Sequence, residues 1–237
     1  MRTRTLIGLA ALAVVLFVVS EVALPALVSS QVEDSVRQAL GEGAGQVRAN
    51  VSGRPALAML FGRYRNVRIE TEGLHAGGLR LARVTLTATD VTLQGGKLPG
   101  SEAEWARTLD GATVDAVITE ADVNAYLVAS RTAASGARVE LSQGRAVVTS
   151  PLPIAGNDVL ITTEGTMALT GGGRTLEYNM ESVTVDGRTI PEFLVDIASE
   201  VVTVGVDLSG LPLGIRVSSV NVVDNAVLLS GRIAQGG

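Results

Sequence analysis

The chain contains no cysteine, a single histidine and a single lysine, and only 3% of its residues are aromatic. The absence of cysteine excludes disulfides, thiolate zinc sites, thiol nucleophiles and the attachment of lipid to a cysteine. The lone histidine, His75, has no second histidine with which to share a metal or catalytic site. With a formal net charge of −5, the chain also lacks the positive charge typical of a nucleic-acid-binding protein.

Motifs for catalysis are missing as well. The sequence has no Gly-x-Ser-x-Gly nucleophile elbow and no Walker phosphate loop. Glu102 and Glu104 lie two residues apart in a predicted helix, so they do not share a face and do not form a paired-carboxylate site. Glu120, Asp122 and Asn124 are spaced like the start of a calcium loop, but the required glycine does not follow. We therefore predict no enzymatic activity, no metal and no cofactor.

The N-terminus carries the longest apolar run. Arg2 and Arg4 precede an uninterrupted apolar stretch over residues 6–19, and further apolar residues extend it to Val28. Because basic residues stay on the cytoplasmic side, the rest of the chain is predicted to lie outside the cytoplasm. The uninterrupted part has the length of a signal peptide, and residues 6–28 are just long enough to span a bilayer. Two alternatives stay open, a single N-terminal anchor and export after cleavage near Ser30.

Residues 1–30 are thus predicted to be a signal or anchor segment, and residues 31–234 a single α+β domain. From Tyr64 onward, apolar and polar residues alternate as they do in strands with one buried face. The alternation slips between residues 81 and 84 and between residues 88 and 91, which predicts bulges or bends that curve a sheet. Helical patterns occupy residues 101–109, 119–130 and 190–201. We expect a strongly curved antiparallel sheet wrapped around helices.

Residues 53–64 form the one block whose composition suits a ligand. Its dense apolar patch consists of Leu57, Met59, Leu60 and Phe61. The arginines that flank this patch are Arg54, Arg63 and Arg65. An apolar centre with an arginine rim matches a phospholipid, because the acyl chain contacts the apolar side chains and the phosphate pairs with guanidinium. The alternative is a plug of the core with a solvated basic rim.

The same block also resembles a known family. Residues 53–69 contain Gly-x-Pro, an apolar run and then Leu-x-Gly-x-Tyr-x-x-Val-x-Ile, a pattern that resembles the LmeA family of actinobacterial envelope proteins. Residues 211–231, from Leu-Pro-Leu-Gly-Ile-Arg to Asp-Asn-Ala-Val-Leu-Leu-Ser-Gly, look like the closing hairpin of that family. The resemblance covers about residues 31–234. The chain departs from the family at residues 54–56, where the family often has an aromatic residue on each side of the proline.

The resemblance implies phospholipid binding and a fold similar to tubular lipid-binding domains, in which a curved sheet wraps a long helix and leaves an apolar groove. It also implies a role in envelope glycolipid biosynthesis, such as lipomannan maturation. The candidate groove residues are Leu57, Leu60, Phe61, Val123, Tyr126, Leu127, Phe193, Leu194 and Ile197. The candidate headgroup residues are Arg54, Arg63 and Arg65.

The leading hypothesis is a non-enzymatic phospholipid-binding protein of the cell envelope, located at the extracytoplasmic face of the cell membrane, that supports lipid or lipoglycan biosynthesis or lipid transfer. Its expected partners are a phospholipid or other membrane lipid and the membrane itself, with no nucleic acid. One alternative is a membrane-anchored scaffold or assembly partner that has a packed core and no lipid groove. A hydrolase or transferase is a third hypothesis, but it requires a convergent polar cluster that the sequence does not offer.

Overall fold

The computed structural model describes residues 2–53, 55–130, 136–154, 157–185, 188–189 and 205–234. The helices in these ranges are α1 (Arg2–Leu40), α2 (Glu102–Thr108) and α3 (Glu120–Ser130). The strands are β1 (Gln46–Ser52), β2 (Arg63–Ala76), β3 (Leu79–Thr92), β4 (Thr113–Thr119), β5 (Arg138–Ser142), β6 (Arg145–Ile154), β7 (Asn157–Thr170), β8 (Thr175–Val185), β9 (Arg188–Thr189), β10 (Gly205–Asp207), β11 (Ile215–Val223) and β12 (Ala226–Ile233). Short 3-10 turns occupy Gly41–Gly43, Ala56–Phe61, Gln94–Gly96 and Pro212–Gly214. The predicted helix at 190–201, with Phe193, Leu194 and Ile197, lies outside the described residues, as does Arg54.

The strands form two antiparallel sheets. Sheet A has the order β1-β2-β3-β4-β12-β11, and sheet B has the order β10-β8-β7-β6-β5, with β9 paired to β8. One sheet is strongly curled into a half-barrel. Pairing registers shift at Val217–Ser219 in β11 and at Glu164–Gly165 in β7, and such irregularities bend strands. The predicted α+β class with antiparallel strands is therefore confirmed, but the strands belong to two sheets.

The bends predicted in the longest hairpin are also present. Burial along β3 changes phase between residues 81 and 84 and between residues 88 and 91. The pairing of β2 with β3 nevertheless keeps a single register from Arg63 to Ala76. Gly73 in β2 and Asp90 in β3 have positive φ angles of 73° and 53° near these two places. The two strands thus bend together, and neither one carries a one-residue bulge relative to the other.

The two sheets meet where their turns contact each other. At the turn between β7 and β8, a Cβ added to Gly173 would lie 1.8 Å from the carbonyl oxygen of Val217, so only glycine allows this approach. Backbone hydrogen bonds join two other turns, with Asn225 donating to Leu141 at 3.0 Å and Gly144 donating to Val222 at 2.9 Å. The β5–β6 hairpin of sheet B and the β11–β12 hairpin of sheet A are therefore tied to each other.

Helix α1 runs along β1, one of the two edge strands of sheet A. The N–H of Ala49 donates to Glu33 Oε1 at 2.8 Å, and the N–H of Val51 donates to Ser29 Oγ at 3.1 Å. The apolar side of the helix is buried through Val28, Val32 and Val36, which are spaced four residues apart. Helix α1 thereby covers a strand edge that would otherwise be open to pairing with another chain.

The predicted boundary between residues 30 and 31 falls inside α1, which continues through it to Leu40. Ser29 contacts β1, and Glu21 Oε1 accepts a hydrogen bond of 2.8 Å from the N–H of Ala56. In the part of the chain that the structure describes, no helix has the length and apolar character needed to cross a membrane. The N-terminal anchor and cleavage near Ser30 stay predictions.

Helix α2 packs on α1 through a shared serine. The indole N–H of the buried Trp105 donates to Ser35 Oγ at 3.1 Å, and this hydroxyl donates to the carbonyl oxygen of Pro99 at 2.5 Å. Ser101, the first residue of the predicted helical pattern, caps α2 by accepting from the N–H of Glu104 at 3.3 Å. These contacts keep the segment between β3 and β4 against the N-terminal helix.

The 3-10 turn at 56–61 ends at Gly62, which has a φ of 72°. A Cβ at this position would lie 2.9 Å from the Cα of Gly96 and 3.0 Å from the carbonyl oxygen of Leu93. Because Gly62 stands between an apolar helical turn and a strand in the sequence, it is expected to end the turn with a positive φ, and the structure confirms this. Glycine is required here for its conformation and also for the close approach of the 94–96 turn.

We predict that Gly62→Ala lowers the free energy of unfolding more than Gly111→Ala does. Gly111 also has a positive φ, 78°, but no atom lies within 4 Å of its added Cβ. The control therefore costs about 1 kcal/mol for conformation alone, whereas Gly62→Ala costs at least about 1 kcal/mol more because its backbone neighbours must move. Urea unfolding of both variants measures the difference. Equal costs would show that the contact with Gly96 is unimportant.

Candidate functional site

A small apolar cavity lies between α3 and the inner faces of the two sheets. Its volume is about 30 Å³, and its accessible lining is apolar. Helix α3 contributes Val123, Tyr126 and Leu127, which are three of the predicted groove residues. The other lining residues are Leu79, Ile118, Val139, Val148, Met167, Leu176, Glu177, Tyr178 and Val206. Residues from seven strands of both sheets therefore converge on the apolar stripe of this one helix.

A capping box fixes the start of α3. The N–H of Asp122 donates to Thr119 Oγ1 at 3.2 Å, and the N–H of Thr119 donates to Asp122 Oδ2 at 3.1 Å. This reciprocal pair is the cap that the sequence Thr-Glu-Ala-Asp predicts. Asp122 is buried and also accepts a hydrogen bond of 2.8 Å from Arg80 Nη1 in β3. Burial by itself raises the pKa of Asp122, but the hydrogen bonds from Thr119 and Arg80 and the charge of Arg80 outweigh burial, so the pKa is lowered.

The side chains of Glu120 and Asn124 bind β5, one of the two edge strands of sheet B. The N–H of Val139 donates to Asn124 Oδ1 at 2.8 Å, and Asn124 Nδ2 donates back to the carbonyl oxygen of Val139 at 2.8 Å. One turn earlier, Glu120 Oε2 accepts from the N–H of Leu141 at 2.9 Å. The acidic run that begins like a calcium loop is thus engaged in capping and strand contacts.

The other predicted groove residues that the structure describes lie elsewhere. Leu57, Leu60 and Phe61 belong to the 56–61 turn, and their exposed fractions are 40%, 57% and 76%. Ala56 and Met59 of the same turn are buried and hold it against the domain. The structure therefore does not bring the two sets of described groove residues into one groove: the α3 residues face the interior, and the turn residues face outward.

Two of the candidate headgroup residues lie beside this exposed turn. Arg63 and Arg65 are exposed at the start of β2 and line an open depression of about 740 Å³ between the turn and the end of β3. Asp90 lines the same depression. Among the described residues, neither arginine forms an ion pair, although Arg48, Arg68, Arg80 and Arg145 each pair with a carboxylate.

A buried polar pair near the cavity could not be found from the sequence alone. The hydroxyl of Tyr178 donates to Thr163 Oγ1 at 3.1 Å, and Thr163 donates to the carbonyl oxygen of Val148 at 3.4 Å. Burial raises the pKa of Tyr178 above that of an exposed phenol. Alternation along β8 indicates that Tyr178 faces inward. It does not show that the hydrogen-bond partner of Tyr178 is Thr163, which lies 15 residues earlier in the chain.

Other polar residues do not converge with this site. His75 lies at the end of β2 and is exposed. Within the described ranges, no group of three or more histidine, aspartate and glutamate side chains is arranged to hold a metal ion. The two features that stand out are the apolar cavity beneath α3 and the exposed apolar turn with its unpaired arginines.

An apolar interior cavity and an exposed patch flanked by arginines are features of proteins that contact lipids. A family model for LmeA-like phospholipid-binding proteins matches residues 19–232, nearly the whole chain. The chain therefore belongs to the LmeA-like phospholipid-binding family, as its sequence motifs predict. No curated protein and no solved structure gave a significant match. The matched region begins inside α1 and includes Glu21, Ser29 and Glu33, which contact the domain.

We predict that Asp122→Asn removes a pH-dependent part of the stability. Since the folded-state pKa is lowered, the carboxylate stabilises the fold fully above the unfolded pKa of about 3.9, and this contribution is lost as the pH falls through the lower folded pKa. At pH 7 the variant should lose about 1.5–3 kcal/mol of unfolding free energy.

Urea unfolding of wild type and variant from pH 7 to pH 3 measures this loss, and the difference should shrink below about pH 4. The control is Asp34→Asn, because the Asp34–Arg37 pair is exposed and should contribute little at any pH. A difference that stays constant down to pH 3 would contradict the assignment.

We also predict that Asn124→Ala lowers the unfolding free energy by about 1–3 kcal/mol, because the N–H and the carbonyl of Val139 both lose their partner. Asn221→Ala, at an exposed position of β11, serves as the control and should change stability by less than about 0.5 kcal/mol. Equal effects of the two substitutions in urea unfolding would show that the β5 edge does not depend on α3.

Proposed function

We propose that this protein is a non-enzymatic phospholipid-binding protein that works at the extracytoplasmic face of the cell membrane. There it supports envelope lipid or lipoglycan biosynthesis, or transfers lipid. Membership of the phospholipid-binding family supports the ligand class. The basic and apolar N-terminal segment supports the location, because its positive charges precede the apolar run.

The observation that carries this proposal is the apolar cavity beneath α3 in a member of a phospholipid-binding family. We place the acyl chain there, against Val123, Tyr126 and Leu127, in a groove like that of tubular lipid-binding domains. A cavity of about 30 Å³ accommodates one or two water molecules, far less than an acyl chain. Lipid entry therefore requires α3 and the inner face of sheet B to move apart.

The energetics favour exchangeable binding. Burying about eight methylenes contributes roughly 6 kcal/mol at about 0.8 kcal/mol each. Separating α3 from sheet B gives up contacts among the apolar lining residues, and this cost reduces the net gain. Binding of this strength suits a protein that must release its lipid as well as take it up.

A second candidate function is a scaffold or assembly partner with a packed core. The small volume of the cavity favours it, because the described residues enclose no groove that already fits an acyl chain. The two functions differ in one measurable property, which is the stoichiometric binding of phospholipid.

We predict that Val148→Phe abolishes most lipid uptake, whereas Val114→Phe does not. Val148 lines the cavity beneath α3, and Val114 lines a separate apolar cavity of about 10 Å³ on sheet A. Both valines are buried strand residues, so both substitutions carry a similar overpacking cost of about 1–3 kcal/mol. The extra ring volume of Val148→Phe fills the space that the acyl chain needs.

Native mass spectrometry of the full chain, incubated with a short-chain phosphatidylglycerol, counts the bound lipids, and urea unfolding confirms that the variants fold. Chelation of metals should leave uptake unchanged. If the folded wild type binds no lipid, the scaffold function replaces this proposal. If both variants lose lipid equally, the cavity beneath α3 is not the binding site.

A further inference from the structure

The 56–61 turn presents apolar side chains to solvent from a rigid base. Leu57, Leu60 and Phe61 are exposed, and Phe61 is the most exposed of them at 76%. Buried Ala56 and Met59 anchor the turn to the domain. A contiguous exposed apolar surface marks an interaction site, because exposing apolar side chains to water does not stabilise a protein.

This apolar surface continues onto α1. The carboxylate of Glu21 holds the N–H of Ala56 at 2.8 Å, so the beginning of the turn lies against this part of the helix. Phe17, Val18 and Val19 lie four, three and two residues before Glu21, within about one helical turn of it, and all three are exposed. The turn and the helix together form what we name the apolar tip, residues 17–19 with Leu57, Leu60 and Phe61.

Positive charge surrounds the apolar tip. Arg63 and Arg65 follow the turn directly, and Lys97 follows the 94–96 turn that packs on it. Among the described residues, these three side chains form no ion pair, and Asp90 is the single carboxylate that lines the depression beside the two arginines. With Glu21 included, three positive and two negative side chains lie next to the apolar tip, so its local charge is positive although the whole chain is negative.

We propose that the apolar tip is the surface by which this protein docks on an anionic phospholipid bilayer. Leu60 and Phe61 enter below the headgroups, while Arg63 and Arg65 remain at the level of the phosphates, as long cationic side chains do at interfaces. This inference rests on the proposed lipid-binding function and adds the face of the molecule that meets the membrane.

The combination of charges favours a bilayer over a second copy of the chain. A symmetric contact between two apolar tips would place the unpaired arginines of each copy near those of the other, and like charges repel. An anionic bilayer provides an apolar layer for the turn and phosphates for the guanidinium groups in the same geometry.

The absence of native cysteine allows a direct test with single spin labels. In the full chain, one label is attached at Phe61→Cys and, in a second protein, at Val128→Cys. Both native side chains are apolar and 76% exposed, so the two positions are matched in polarity and exposure. Each protein is reconstituted with vesicles of phosphatidylglycerol and phosphatidylcholine, and relaxation by oxygen and by a water-soluble nickel complex measures the depth of the label.

The label at residue 61 should become accessible to oxygen and protected from nickel, while the label at residue 128 stays in water. Pure phosphatidylcholine vesicles, or the added pair Arg63→Gln and Arg65→Gln, should move the label at 61 back toward water. Label depth reports which face enters the bilayer, whatever else holds the chain to the vesicle.

A second arm tests the consequence for lipid uptake. Leu60→Asp combined with Phe61→Asp should slow uptake from anionic vesicles about tenfold or more, since two apolar anchors are lost. The affinity for monomeric short-chain phosphatidylglycerol should change less than about twofold, because both positions are exposed and lie away from the cavity.

Three results would overturn the docking proposal: a label at 61 that stays in water with anionic vesicles, a label at 128 that enters the bilayer instead, or a label at 61 that becomes shielded without vesicles as protein concentration rises. The last result identifies a second copy as the occupant. If the protein does not dock but still binds short-chain phosphatidylglycerol, the proposed function stands and only the docking proposal fails. If the label at 61 enters the bilayer but the protein takes up no lipid, only the proposed function is refuted.

Discussion

The fold depends on how two helices satisfy one open edge of each of the two sheets. At β1, Ser29 and Glu33 of α1 accept the N–H groups of two residues that alternate along the strand. At β5, Glu120 and Asn124 of α3 do the same. In each helix the two side chains are four residues apart, a rise of about 6 Å, which is close to the two-residue rise of a strand. Because unpaired strand edges promote association between chains, these four side chains protect one edge of each sheet, whereas β11 and β10 form the opposite edges.

Helix α3 consequently has two roles in the same structure. Its polar side bonds to β5 and, through Asp122, to Arg80, while its apolar side forms one wall of the cavity. Any movement that admits an acyl chain has to widen the space behind Val123 and Leu127 while the hydrogen bonds to β5 hold. Those bonds lie at the edge of sheet B, so the inner strands can separate from α3 without first breaking them. Lipid entry thus need not unfold the sheet edge.

Local features were predictable because they depend on residues close in the chain. The alternation and its slips place the bends of β3 correctly, the Thr119–Asp122 spacing predicts the start of α3, and Gly62 is the expected positive-φ stop. The edge contacts were not predictable, because Ser29 and Val51 are 22 residues apart and nothing in either segment marks the other as its partner. The division into two sheets was missed for the same reason, since strand order depends on pairings distant in sequence.

The candidate site shows the same distinction most clearly. By itself, the sequence determined that the turn at 56–61 and the stripe on α3 are apolar, that arginines follow the turn, and that the motifs are those of a phospholipid-binding family. Only the tertiary structure decided that Leu127 faces a cavity and Phe61 faces solvent. The physical reason is that an apolar pattern indicates which side chains favour burial, whereas burial itself requires another part of the chain to cover them. Strands distant in sequence cover the apolar side of α3, but no described segment covers Leu57, Leu60 and Phe61 of the turn.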